Sequence, residues 1–134
     1  MLVLLLSITG PACQEEIRKV HITAEEFLFL PKVVHLQAWK PFHLLVANQG
    51  RELHRFKSSL LTHQDVRVQW KFEQMTFQEE KGIGLAPSYA IELITKPPTG
   101  FYRFQCPIRD HRGMQGMFIV EEAGNENLDR AERA

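Results

Sequence analysis

From Val20 onward apolar and polar positions alternate along much of the chain: Val20 and Ile22, then Val34 and Leu36, then Phe42, Leu44 and Val46. A period of two puts those side chains on one face of a strand and leaves the other face wet. Val66, Val68, Trp70 and Phe72 repeat the pattern against Arg67, Gln69 and Lys71, which predicts a strand in the middle of the chain. Further on, Tyr102, Phe104 and Cys106 share a face opposite Arg103 and Gln105, so the cysteine enters the core at a strand's end. Met117 to Val120 predicts a last short strand. Turn residues punctuate these runs at Leu30-Pro31-Lys32, Lys40-Pro41, Asn48-Gln49-Gly50, Lys96-Pro97-Pro98-Thr99-Gly100 and Ala123-Gly124-Asn125. Short strands between frequent turns predict an all-β sandwich or barrel. Residues 57–64 and 73–90 select no single state; loops, a short helix or another strand all fit, and an irregular middle insertion is expected there.

Length and charge narrow the picture. The chain has 134 residues, 44% of them hydrophobic, enough for one core and one domain. Sixteen Lys and Arg balance sixteen Asp and Glu, so no overall field draws the protein to nucleic acid or to an anionic membrane surface. At the amino terminus Leu2 to Leu6 and Ile8 form an apolar run ending at Gly10-Pro11-Ala12. It is too short to span a bilayer but suits the apolar region and small-residue cleavage site of an export signal, although no Lys or Arg precedes it. Cys13, directly after Ala12, is either a lipidated first residue that tethers the protein to a membrane or an unmodified cysteine. The expected division is therefore an export segment at 1–12, a linker at 13–19, the domain at 20–122 and a polar tail at 123–134. That places the mature protein in a bacterial periplasm.

The chemistry concentrates in Cys106-Pro107-Ile108-Arg109-Asp110-His111-Arg112-Gly113-Met114-Gln115-Gly116, a loop between two strands carrying a thiol, an imidazole and a thioether. Two histidines, one cysteine and a weak axial methionine are the ligand set of a blue-copper electron-transfer site. A second histidine is needed, and His54, which follows a strand and the Asn48-Gln49-Gly50 turn, is the one placed to reach the Cys106 loop in a sandwich. His21, His35 and His43 fall on the polar phase of their strands and read as surface residues, while His63 has no evident partner. Cys13 and Cys106 lie in such different contexts that a disulfide between them is not expected.

Two segments resemble the cupredoxins, the plastocyanin-like blue-copper family. Val46-Ala47-Asn48-Gln49-Gly50-Arg51-Glu52-Leu53-His54 looks like the family's first-histidine segment. Gly100-Phe101-Tyr102-Arg103-Phe104-Gln105-Cys106-Pro107, with His111 and Met114-Gln115-Gly116, resembles its ligand loop. The similarity spans roughly residues 20–56 and 91–122, and the middle matches poorly. The resemblance implies a Greek-key β-sandwich with one copper ion at one end, held by His54, Cys106, His111 and Met114. The four-residue gap from Cys106 to His111 is similar to azurin's, and the two-residue gap to Met114 to amicyanin's; Met117 is the rival axial residue. Trp39 stands in a turn where relatives commonly have glycine, and Arg55 follows His54 where they often have asparagine. By the same analogy the Arg55 backbone N–H donates to the Cys106 sulfur, and Phe56, Tyr102 and Phe104 exclude water.

The function that follows is one-electron transfer by a monomeric, non-enzymatic copper protein. Its His111 edge faces a redox partner whose acidic patch meets Arg109, Arg112, Arg51 and Arg55, against Asp110 and Glu52. Copper storage or delivery, and a module of a membrane oxidase or respiratory assembly, are the alternatives. Zinc hydrolysis would need an open coordination position and a general base, and a two-copper centre would need a second cysteine in the loop.

Overall fold

A computed structural model describes residues 16–63, 65–71, 77–78 and 81–123. The expected export segment, Cys13, Phe72 and residues 124–134 of the expected tail lie outside the described residues. The strands are β1 (Arg18–Glu25), β2 (Leu28–Leu30), β3 (Val33–Gln37), β4 (Phe42–Asn48) and β5 (His54–Ser58). A four-residue helix α1 (Ser59–Thr62) follows, then β6 (Val68–Trp70), β7 (Phe77–Gln78), β8 (Gly82–Leu85), β9 (Ala90–Thr95), β10 (Gly100–Gln105) and β11 (Gln115–Glu121). One sheet runs β2-β1-β4-β9-β6 and the other β3-β11-β10-β5-β8-β7. β1 pairs with β4 and β3 with β11 in parallel. The other ladders are antiparallel, including β10 with β11 and β4 with β9.

The alternation read from the sequence is the alternation that packs. Val20, Ile22, Val34, Leu36, Phe42, Leu44 and Val46 all face the interior. Between the sheets Phe104 stacks on Phe56 with ring centroids 5.6 Å apart and meets Phe118 at 4.8 Å and Phe29 at 5.4 Å. Fully burying a phenylalanine contributes roughly 1.5–3 kcal/mol, so this group is a principal source of the sandwich's stability. Phe104 also requires Gly116 across the ladder: a Cβ there would lie 2.1 Å from the Phe104 ring and 2.6 Å from the Lys32 carbonyl oxygen.

Some expectations are corrected. His43 is half-buried, not a free surface residue, because β4 is central in its sheet and Glu92 on the neighbouring β9 lies against its Nε2. The middle strand is confined to Val68–Trp70, with Val68 and Trp70 only half-buried at the edge of the sheet; Val66 precedes it. Within residues 57–64, β5 continues to Ser58, whose hydroxyl caps α1 by accepting from the Leu60 N–H at 3.2 Å. His63 closes that helix, packs edge-on against Tyr102 at 5.8 Å and accepts a hydrogen bond from the Asp65 N–H. Trp39 adopts φ +60°, the left-handed conformation that explains a glycine preference in this turn. Among the described residues no helix is long and apolar enough to cross a membrane.

Candidate metal centre

The site forms where four strand ends meet. Running antiparallel, β10 delivers Cys106 at its end just as β11 starts, the Gln105–Gln115 pair closing the ladder beside it. β5 begins with His54 on the next strand across, where it pairs with Leu85. Strand parity turns Cys106 inward with Phe104 and turns His54 inward with Phe56. The loop between β10 and β11 is held closed by its own backbone. Cys106 N–H donates to the Met114 carbonyl at 3.0 Å, His111 N–H to Ile108 at 2.9 Å, and Met114 N–H to His111 at 3.3 Å. Gly113, at φ +82°, makes the turn between the histidine and the methionine.

These constraints bring His54, Cys106 and His111 together in a buried cluster whose donor atoms all lie within 4.8 Å of one another. His54 Nδ1 is 3.2 Å from His111 Nδ1, and Cys106 Sγ is 3.4 Å from the same nitrogen. Nitrogens about 2.0–2.1 Å and a sulfur about 2.3 Å from one ion would show such separations at angles of about 100°. The donor set therefore fits a thiophilic transition metal, with two imidazoles and one sulfur converging on a point screened from water. Met114 is buried directly before β11, whereas Met117 is half-buried on the outward phase of that strand, opposite in parity to Phe118 and Val120. Among the described residues no second cluster of three or more histidines, cysteines and carboxylates stands in ligating range.

The surroundings tune this cluster. Arg55 N–H donates to Cys106 Sγ at 3.3 Å, the contact expected from the sequence. Asn48, buried at the end of β4, organises the turn before His54. Its side-chain NH₂ donates to the Glu52 and Leu85 carbonyls, both at 2.8 Å, and its Oδ1 accepts from Gly50 N–H at 2.9 Å. His54 is held below the ordinary imidazole pKa of 6.5, first by burial and then by the nearby His111; Glu26, Glu52 and the Glu25 carbonyl oppose that shift. Its Nε2 is buried with no side-chain hydrogen-bond partner.

Two neighbours went unassigned in the sequence reading. Phe27, at φ +62° in the β1–β2 turn, packs its ring edge-on to His111 at 5.1 Å, and Glu52 Oε2 lies 3.2 Å from His111 Nε2. Phe27 interrupts no periodic run, so the sequence offered no signal for it; Glu52 read only as one charge among several. Conversely, Tyr102 stands away from the cluster, near the start of β10, with its hydroxyl donating to the Pro98 carbonyl at 2.8 Å and its ring on His63. Phe56 and Phe104 are the aromatic neighbours two residues from His54 and Cys106, on the same inward faces.

Neither a protein-family model nor a curated protein sequence matches the chain. Solved structures do, at the level of fold. Auracyanin from Roseiflexus castenholzii aligns at a TM-score of 0.54 and 16% identity, over 76% of this chain and 95% of its own. Auracyanin A from Chloroflexus aurantiacus, described as a blue copper protein, aligns at 0.53 and 15% identity, over 78% of this chain and 99% of its own. A multi-copper oxidase from Pediococcus acidilactici aligns at 0.61 and 16% identity, over 93% of this chain but 31% of its own length.

Proposed function

We propose, from the premise that the chain adopts the cupredoxin fold, that it is a one-electron transfer protein with a mononuclear type 1 copper site. His54, Cys106, His111 and Met114 would hold the ion. The observation that carries the reading is the convergence of two imidazole Nδ1 atoms and one sulfur at a buried point between fixed strand ends. When bound, copper would supply a Cu(I)/Cu(II) couple for one-electron transfer.

The chain's own residues do the rest. His54 and Cys106 are fixed by β5 and the end of β10, so their donor atoms are held in place by the strands. Arg55 N–H withdraws density from the Cys106 sulfur, and the buried Phe56 and Phe104 rings keep water away. With Met114 as fourth ligand no position remains for substrate, which supports a carrier over an enzyme. Arg51, Arg109 and Arg112, exposed around the His111 end, favour a brief, salt-sensitive encounter with the acidic patch of a redox partner. The apolar run and small residues of 1–12 support export to the periplasm. The alignment with part of a larger oxidase favours a second reading, a copper module within a bigger assembly, which co-purification with such an assembly would reveal.

The test is the visible spectrum of the copper-loaded chain and of Cys106→Ser. An intense thiolate-to-copper band in the parent and its loss in the variant are expected. A colourless parent with one bound copper would refute a blue site.

A further inference from the structure

We propose that Glu52 is a positioning residue for His111, selecting the ring tautomer that frees Nδ1 to bind the metal. The proposal rests on the copper-site reading for its purpose, but not for its geometry.

His111 is enclosed on three sides. Phe27 meets its ring edge-on at 5.1 Å, His54 Nδ1 and Cys106 Sγ face its Nδ1 at 3.2 and 3.4 Å, and Glu52 Oε2 stands 3.2 Å from its Nε2. A carboxylate can only accept. Nε2 must therefore carry a proton in that contact, which in the neutral ring leaves Nδ1 with the lone pair directed at the cysteine and the second histidine. This is the carboxylate–histidine pairing that orients a ligating ring and raises its basicity. The backbone of Glu52 is itself anchored, because the buried Asn48 amide donates to its carbonyl at 2.8 Å, so the carboxylate approaches His111 from a fixed base.

The two histidines are then unequal. His54 Nε2 is buried and no side chain bonds to it, so no carboxylate sets its tautomer as Glu52 does for His111. His111 is thus the half of the pair that Glu52 presets.

The experiment uses the metal-free full chain labelled with ¹⁵N at histidine, at about pH 8, above the usual imidazole pKa of about 6.5. Long-range ¹H–¹⁵N spectra should show a single His111 tautomer protonated at Nε2 in the parent and a mixture in Glu52→Ala. In Glu52→Gln, whose amide oxygen still accepts, the parent tautomer should return. Copper(I) affinity, read by chelator competition, should fall about 10- to 100-fold in Glu52→Ala and recover most of that loss in Glu52→Gln. Glu52 is more than half exposed, so truncation leaves the core intact. An unchanged His111 tautomer in Glu52→Ala, whatever the affinity, would overturn the proposal. So would failure of Glu52→Gln to restore the tautomer. Because the tautomer is read without metal, it decides the role of Glu52 even if the loaded parent were to lack the thiolate band, a result that would sink the copper reading alone.

Discussion

Replacing Asn48 by alanine should weaken both the fold and the site. The side chain is buried and makes three hydrogen bonds, donating to the Glu52 and Leu85 carbonyls and accepting from Gly50 N–H. At a net 0.5–1.5 kcal/mol for each bond, the three amount to about 3 kcal/mol. The Leu85 contact is fully buried, so its carbonyl is left without a donor, whereas water can reach the Glu52 and Gly50 groups and recover part of their loss. The expected destabilisation is therefore about 2–4 kcal/mol. Urea unfolding of the metal-free protein measures it. With a slope of about 1–3 kcal/mol per molar, the midpoint should fall by about 1 M or more at unchanged slope. Asn48→Asp separates shape from donors: it keeps the acceptor for Gly50 but faces two carbonyls with a carboxylate, and should be at least as destabilised. Copper affinity should drop in both variants, since Asn48 braces the turn that leads into His54. A loss below about 1 kcal/mol in Asn48→Ala, or a near-parental Asn48→Asp, would refute the assignment of these hydrogen bonds as the turn's main brace.

Two further outcomes follow from the same geometry. His54 has a folded-state pKa below 6.5, so between that lowered value and 6.5 the unfolded chain binds more protons than the folded one; stability is complete above 6.5 and declines as pH falls through this window. Urea midpoints of the metal-free protein should drop on acidification below 6.5, with a flatter profile in His54→Gln; an identical profile in that variant would contradict the assignment. Gly116→Ala should cost about 1–3 kcal/mol or more, because the added methyl overlaps the fully buried Phe104 ring and a backbone carbonyl that cannot retreat. Thermal unfolding reads this directly, and a melting point equal to the parent's would show that the β10–β11 packing is looser than described.

Much of this protein was legible from local pattern. Strand parity alone turned Val20, Ile22, Phe42, Leu44, Val46, Phe104 and Cys106 inward, because alternation along a pleated strand is a property of the chain itself and needs no partner. The loop ligands were also local, since His111 and Met114 lie within eight residues of Cys106. Other features depended on which strands became neighbours, and period two is silent on that. His43 read as a wet-face residue until β9 placed Glu92 beside it. Tyr102 shares its parity with Cys106 but lies too far back along β10 to touch the cluster, since a strand advances about 3.3 Å per residue. The 51 residues between His54 and Cys106 are bridged by a backbone donor on β5 and a thiol at the end of β10. Resemblance to a family suggested that bridge; only the sheet order made it a 3.3 Å contact. The enclosure of His111 by Phe27 and Glu52 was decided by tertiary structure alone, because the β1–β2 turn and the connection from β4 to β5 converge there and neither segment's sequence encodes the other's position.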